Sequence, residues 1–184
     1  MVENEPLAFE QLSIGDKWTS PMRIIAESDL AGFADLTGDH DPLHTDADFA
    51  ANGPFGRPVA HGLLGLSILA GLSSKSPAVQ TAALIDIRSW SFSKPVFIGD
   101  SLYAVTEVID LKAHGRRYGE VHWYRQLFNQ HDERVQEGII VTLVTRRVPL
   151  PNKKTVATGG PAAVGSRESE QARKLPNSEV VATF

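Results

Sequence analysis

The chain has 184 residues, 42% of them hydrophobic and 22% charged, with a formal net charge of −4 and no cysteine. That length suits one domain with a sizeable core, and the missing thiols exclude disulfides, thiolate metal sites and cysteine nucleophiles. Residues 1–148 hold 13 basic against 19 acidic side chains, whereas 149–184 hold five against three; an acidic body argues against nucleic acid as a partner.

The start of the chain is polar and acidic, unlike the basic, apolar opening of a secretory leader. No apolar run reaches the ~18 residues of a membrane span. A cytoplasmic protein with no membrane partner is the expectation. Residues 9–19 form an entry segment with a turn at Gly15-Asp16, and 22–26 read as a short strand. Ser28 then caps a helix over 29–36, with apolar positions Leu30, Phe33, Ala34 and Leu36 at near-helical spacing. Gly38 ends it, as glycine does just past a helix. Asp41-Pro42 is a helix start, because Asp caps well and Pro lacks an N–H that the first helical position does not need. That helix should run over 42–51 and break at Asn52-Gly53-Pro54. Residues 62–72 are apolar all round, the pattern of a buried helix.

The period then changes. Residues 82–92, 101–111, 121–128 and 135–148 are rich in β-branched and aromatic residues with partial alternation, joined by short turn-like links. Four long strands with short links favour an antiparallel sheet, and the apolar helix is its natural cover. The expected fold class is α+β, a curved antiparallel sheet wrapped around one central helix. The domain is expected over 1–148. Residues 149–184 carry few large apolar side chains and read as a disordered tail.

The chemistry concentrates between Gly38 and Gly62. Asp39 and His44 are two groups able to move protons, set on a broken turn. On one straight helix their five-residue separation would be about 140° around the axis, facing them apart; Gly38 and Pro42 make a continuous helix unfavourable, so a turn can bring them together. Gly62 opens the buried helix, where a backbone N–H can face a developing oxyanion. Asp41 suits an N-cap. The run of acids and histidines from Asp39 to Asp48 matches no standard metal-ligand spacing, so no metal is expected.

The run Thr37-Gly38-Asp39-His40-Asp41-Pro42-Leu43-His44-Thr45-Asp46, continued by Phe49-Ala50 and Phe55-Gly56-Arg57-Pro58-Val59-Ala60-His61-Gly62, resembles the hydratase signature of MaoC-like (R)-specific enoyl-CoA hydratases. Phe92-Ser93-Lys94-Pro95-Val96-Phe97-Ile98-Gly99-Asp100 is similar to the sheet motif of the same family. The resemblance covers about residues 8–148. It implies a hotdog fold and a homodimer with a continuous sheet. It also implies reversible hydration of trans-2-enoyl thioesters to (R)-3-hydroxyacyl thioesters, carried on CoA or acyl-carrier protein, with no cofactor. Asp39 and His44 match the family's catalytic pair, and Gly62 matches the residue whose N–H is assigned to the thioester oxygen. Asp41 stands where the family usually has Asn. Asp41, Arg57 and His61 are the candidate substrate-binding residues, Arg57 toward a carrier phosphate. Two rival classes stay open: a hotdog acyl-CoA thioesterase, and a non-catalytic acyl-thioester-binding subunit.

Overall fold

The structure is a computed structural model that describes residues 5–148. The expected tail at 149–184 lies outside the described residues. The chain enters through a single helical turn at Phe9–Gln11 and two short strands, β1 (Lys17–Thr19) and β2 (Arg23–Ile24). Three helices follow: α1 (Glu27–Thr37), α2 (Pro42–Thr45) and α3 (Ala47–Ala51). The central helix α4 (Gly62–Ser73) precedes four long strands, β3 (Thr81–Phe92), β4 (Ser101–His114), β5 (Tyr118–Phe128) and β6 (Arg134–Thr145).

The long strands pair antiparallel in the order β1-β4-β5-β6-β3, with β2 also on β4. Leu64, Ile68 and Leu69 of α4 pack with Leu102 and Ala104 of β4, Leu127 of β5 and Ile140 of β6 in the main core. Burying each of the leucine and isoleucine side chains stabilises by roughly 1.5–3 kcal/mol. A second cluster gathers Leu12, Val108, Val121, Trp123 and Val144. The buried indole of Trp123 donates to Thr142 Oγ1 at 2.8 Å, satisfying its one polar atom. The helix approaches the sheet closely at Gly65, where a Cβ would come within 2.2 Å of Gln136 Nε2. Any side chain at that position would have to displace the Gln136 amide.

Several local expectations need correction. Helix α1 begins at Glu27 and its N-cap is Ala26 rather than Ser28. The Asp29 carboxylate reaches back to accept the Ala26 N–H at 2.9 Å, the half of a capping box that the third helical residue supplies, while Ala26 has no side chain to cap the first-turn amides. Leu36 points outward at 82% exposure, so α1 buries only Leu30 and Ala34. The expected helix over 42–51 is two helices. Asp46 is extended (φ −119°, ψ 111°) and its side chain accepts the Phe49 N–H at 3.0 Å, starting a new helix where the old one would have continued. Helix α4 is not buried all round, since Leu63 is 60% exposed. The expected strand over 135–148 stops at Thr145, and that over 101–111 extends to His114.

Candidate active site

Three chain segments converge at the N-terminal end of α4: the turn after α1, the single turn of α2 and the segment that opens α4 itself. Gly38, at φ +76°, closes α1 with its N–H on Ala34 O at 2.8 Å and turns the chain into Asp39. Asp41 then caps α2, its Oδ1 accepting the Leu43 N–H at 2.8 Å, and this holds His44 in a single helical turn. The segment before α4 is clamped from both sides. Val59 N–H donates to Leu43 O at 3.3 Å and Ala60 N–H to Val96 O at 2.8 Å. That clamp delivers His61 and Gly62 to the same place as the 38–44 turn.

The side chains meet there. The Asp39 carboxylate and one ring nitrogen each of His44 and His61 lie within 4.8 Å of one another. The His44 and His61 rings stack with centroids 3.9 Å apart, tilted by 30°. Asp39 is exposed, His44 half-buried and His61 buried. Hydrogen bonding sets the tautomers, because a carbonyl can only accept. His44 Nδ1–H donates to Val59 O at 2.6 Å, leaving its Nε2 for proton exchange. His61 Nε2–H donates to Asp39 O at 2.9 Å, tying the Asp39 backbone to the start of α4. His61 Nδ1 is buried without a hydrogen-bond partner. One carboxylate and two imidazoles at this separation can hold a water molecule, and are also a donor set that can hold a divalent cation.

Gly62 is the first residue of α4, so its N–H has no carbonyl within the helix to bond, and the His61 side chain does not cap it. Gly62, at the positive end of the α4 dipole, lines an adjacent cleft of about 320 Å³ together with His61, Phe92, Lys94 and Gln136. Asp39 and His44 do not line that cleft within one chain. Arg57 is outside the three-residue cluster. Its guanidinium lies 3.8 Å over the Phe97 ring and borders a neighbouring recess of about 230 Å³ that shares Lys94 and Pro95 with the cleft.

Sequence reasoning did not single out Gln136. Its Nε2 donates to Gly62 O at 3.0 Å, pinning the first residue of α4 to β6. The available signal was a lone amide inside an apolar strand run, and it is 3% exposed.

The fold defines a hotdog protein, and the Asp39, His44 and His61 cluster lies at the start of its central helix. Residues 10–126 match the MaoC like domain, and the chain belongs to the MaoC-like dehydratase family. It is 36% identical over 113 residues to a 3-hydroxybutyryl-CoA dehydratase of Methylorubrum extorquens, covering 60% of this chain and 69% of that protein. It is also 36% identical over 106 residues to an (R)-specific enoyl-CoA hydratase of Aeromonas caviae, covering 58% and 78%. Among solved structures, the (R)-hydratase of A. caviae superimposes with a TM-score of 0.60 at 29% identity, over 72% of this chain and 97% of that one. A protein from Archaeoglobus described as a monoamine oxidase regulatory protein superimposes with a TM-score of 0.72 at 35% identity, over 77% and 95%. Among the described residues, no helix is long and apolar enough to cross a membrane.

Proposed function

We propose that the protein is a hydro-lyase that adds water to trans-2-enoyl thioesters, and removes it from (R)-3-hydroxyacyl thioesters, carried on CoA or an acyl-carrier protein. The observation that carries this reading is the approach of the Asp39 carboxylate and the His44 imidazole, within 4.8 Å, next to a helix start whose first amide has no helical acceptor. The names of the Methylorubrum and Aeromonas relatives support a thioester substrate.

In this scheme a water molecule sits between Asp39 and His44. Its oxygen bonds to C3 of the enoyl thioester, one of its protons passes to the base of the pair, and a proton from the acid of the pair reaches C2. Negative charge grows on the thioester oxygen during the addition. The Gly62 N–H, reinforced by the α4 dipole, meets that charge; one donor of this kind is worth about 3–4 kcal/mol, and acid–base help about 10²–10⁴ in rate. His44 is oriented by Val59 O, and His61 acts on Asp39 through its backbone rather than on the substrate. Asp41 contributes by capping α2. The Arg57 recess is where the carrier's phosphates would bind.

A homodimer belongs to the proposal. β3 ends the sheet, so its outer edge has unpaired backbone groups, and Leu84, Ile85 and Ile87 on it are 41–59% exposed. A long apolar edge of that kind favours strand pairing with a second copy.

The test is to follow crotonyl-CoA and longer enoyl-CoA thioesters by loss of enoyl absorbance. The expected product is the (R)-3-hydroxyacyl thioester with no free thiol. Release of free CoA would instead indicate hydrolysis, and binding without turnover a non-catalytic subunit.

A further inference from the structure

The inner face of β5 carries a charge for which the scheme above has no use. Strand alternation puts residues 123, 125 and 127 on one side of the sheet. Leu127 packs with Leu64 and Ile68 in the main core, and Trp123 is buried in the second cluster. Arg125 lies between them. It faces a cavity of about 490 Å³ between α4 and the sheet, whose apolar walls include Leu66, Ala70, Leu84, Ile87 and Ile140. Among the described residues lining it, Arg125 is the only charged one.

Among the described residues this guanidinium has no counter-ion. Its Nε is buried without a hydrogen-bond partner, and its cross-strand neighbours are Thr106 and Gly138, both uncharged. Burial pushes its pKa down to about 10, with no acidic group acting in the other direction. Its aromatic contact, Trp123 at 5.6 Å, lies along the same face. The hydroxyls of Ser67 and Ser74 already donate to α4 carbonyls, and that of Thr142 accepts from Trp123. Drawing a cation out of water is unfavourable unless an anion joins it. An apolar cavity with a single unpaired cation suits a ligand that is aliphatic along its length and anionic at its end.

The register relates this cavity to the thioester end. Gln136, which holds Gly62 O, pairs with Leu127; Arg125 is two residues further along β5, about 7 Å at strand rise. Along β6, Gln136 lines the cleft, Gly138 lies under the Trp90 ring and Ile140 lines the cavity. Trp90, which donates to Gln136 Oε1 at 3.4 Å, is therefore the side chain an acyl chain must pass.

We infer that Arg125 determines specificity by receiving a carboxylate at the far end of the acyl chain, so that the protein selects monothioesters of dicarboxylic acids over plain alkyl thioesters. The inference rests on the thioester reading of the Gly62 end.

The experiment is equilibrium binding of saturated thioesters to the full chain by calorimetry, comparing glutaryl-, adipyl- and suberyl-CoA with pentanoyl-, hexanoyl- and octanoyl-CoA. The wild type should bind the best dicarboxylic thioester about 10- to 100-fold more tightly than the alkyl thioester of equal length, as one charge-assisted pair allows. Arg125→Met, which keeps the cavity apolar, should lose or invert the preference while still binding alkyl thioesters. Arg125→Lys should retain part of it. Equal or tighter alkyl binding by the wild type, an undiminished preference in Arg125→Met, or no thioester binding at all would overturn the inference. So would a change of oligomeric state in Arg125→Met without any sorting of thioesters, because the anion would then belong to a second copy. Saturated thioesters cannot be hydrated, so the two readings fail separately. Sorting without hydration of enoyl thioesters would sink the hydro-lyase reading, and hydration without sorting would sink this one.

Discussion

Gly62 is a residue whose amide can be tested apart from its size. Its N–H has no helical acceptor, so proline at this first helical position removes the donor without breaking a helix bond. His61 already has the extended backbone that a residue before proline prefers, with φ −53° and ψ 134°. A Cβ at position 62 would come within 3.1 Å of the Phe92 ring, and that side chain, 53% exposed, has room to yield. Gly62→Pro should therefore fold, by circular dichroism, and lose about 10²–10³ in kcat. Gly62→Ala keeps the amide and should lose far less; equal losses in the two variants would remove the amide from the mechanism. Asp39 and His44 were legible as a pair because Gly38 and Pro42 interrupt any helix joining them. Gln136 and Arg125 were not. Which face of a strand a polar residue occupies, and what lies opposite it, is decided by register and by the approach of α4, neither of which is local.

Helix α4 is the element on which the site is hung, and its two faces make opposite predictions. Leu69 is completely buried in the main core, so Leu69→Ala should cost about 2–5 kcal/mol in chemical denaturation. Leu63, six residues earlier and 60% exposed, should cost no more than about 0.5 kcal/mol on the same substitution within a single chain. A comparable cost at both positions would show that the exposed face is covered. The helix itself was plain in the sequence, as were the four long strands, because hydrophobic runs of that length outweigh local alternatives. The failures were at junctions. Asp46 starts a second helix inside an expected single one, and the Asp29 carboxylate on the Ala26 N–H accompanies an N-cap of α1 two residues before the expected one at Ser28. In both, one side-chain carboxylate chooses among several nearby amides, a competition that spacing alone does not decide.

At the scale of the molecule, β3 leaves the sheet open. If pairing there makes the dimer, Ile85→Asp should shift the protein from dimer to monomer in sedimentation while its far-ultraviolet spectrum is kept; a persistent dimer would place the interface elsewhere. Activity is likewise a property of the whole fold, because the turn after α1, the single turn of α2 and the start of α4 come together only when the sheet holds α4. The most direct measurement is the rate of crotonyl-CoA hydration by the wild type, Asp39→Asn and His44→Ala, each confirmed as folded. The account predicts measurable hydration by the wild type and a loss of at least ~100-fold in each variant. Near-normal turnover by either variant would contradict it.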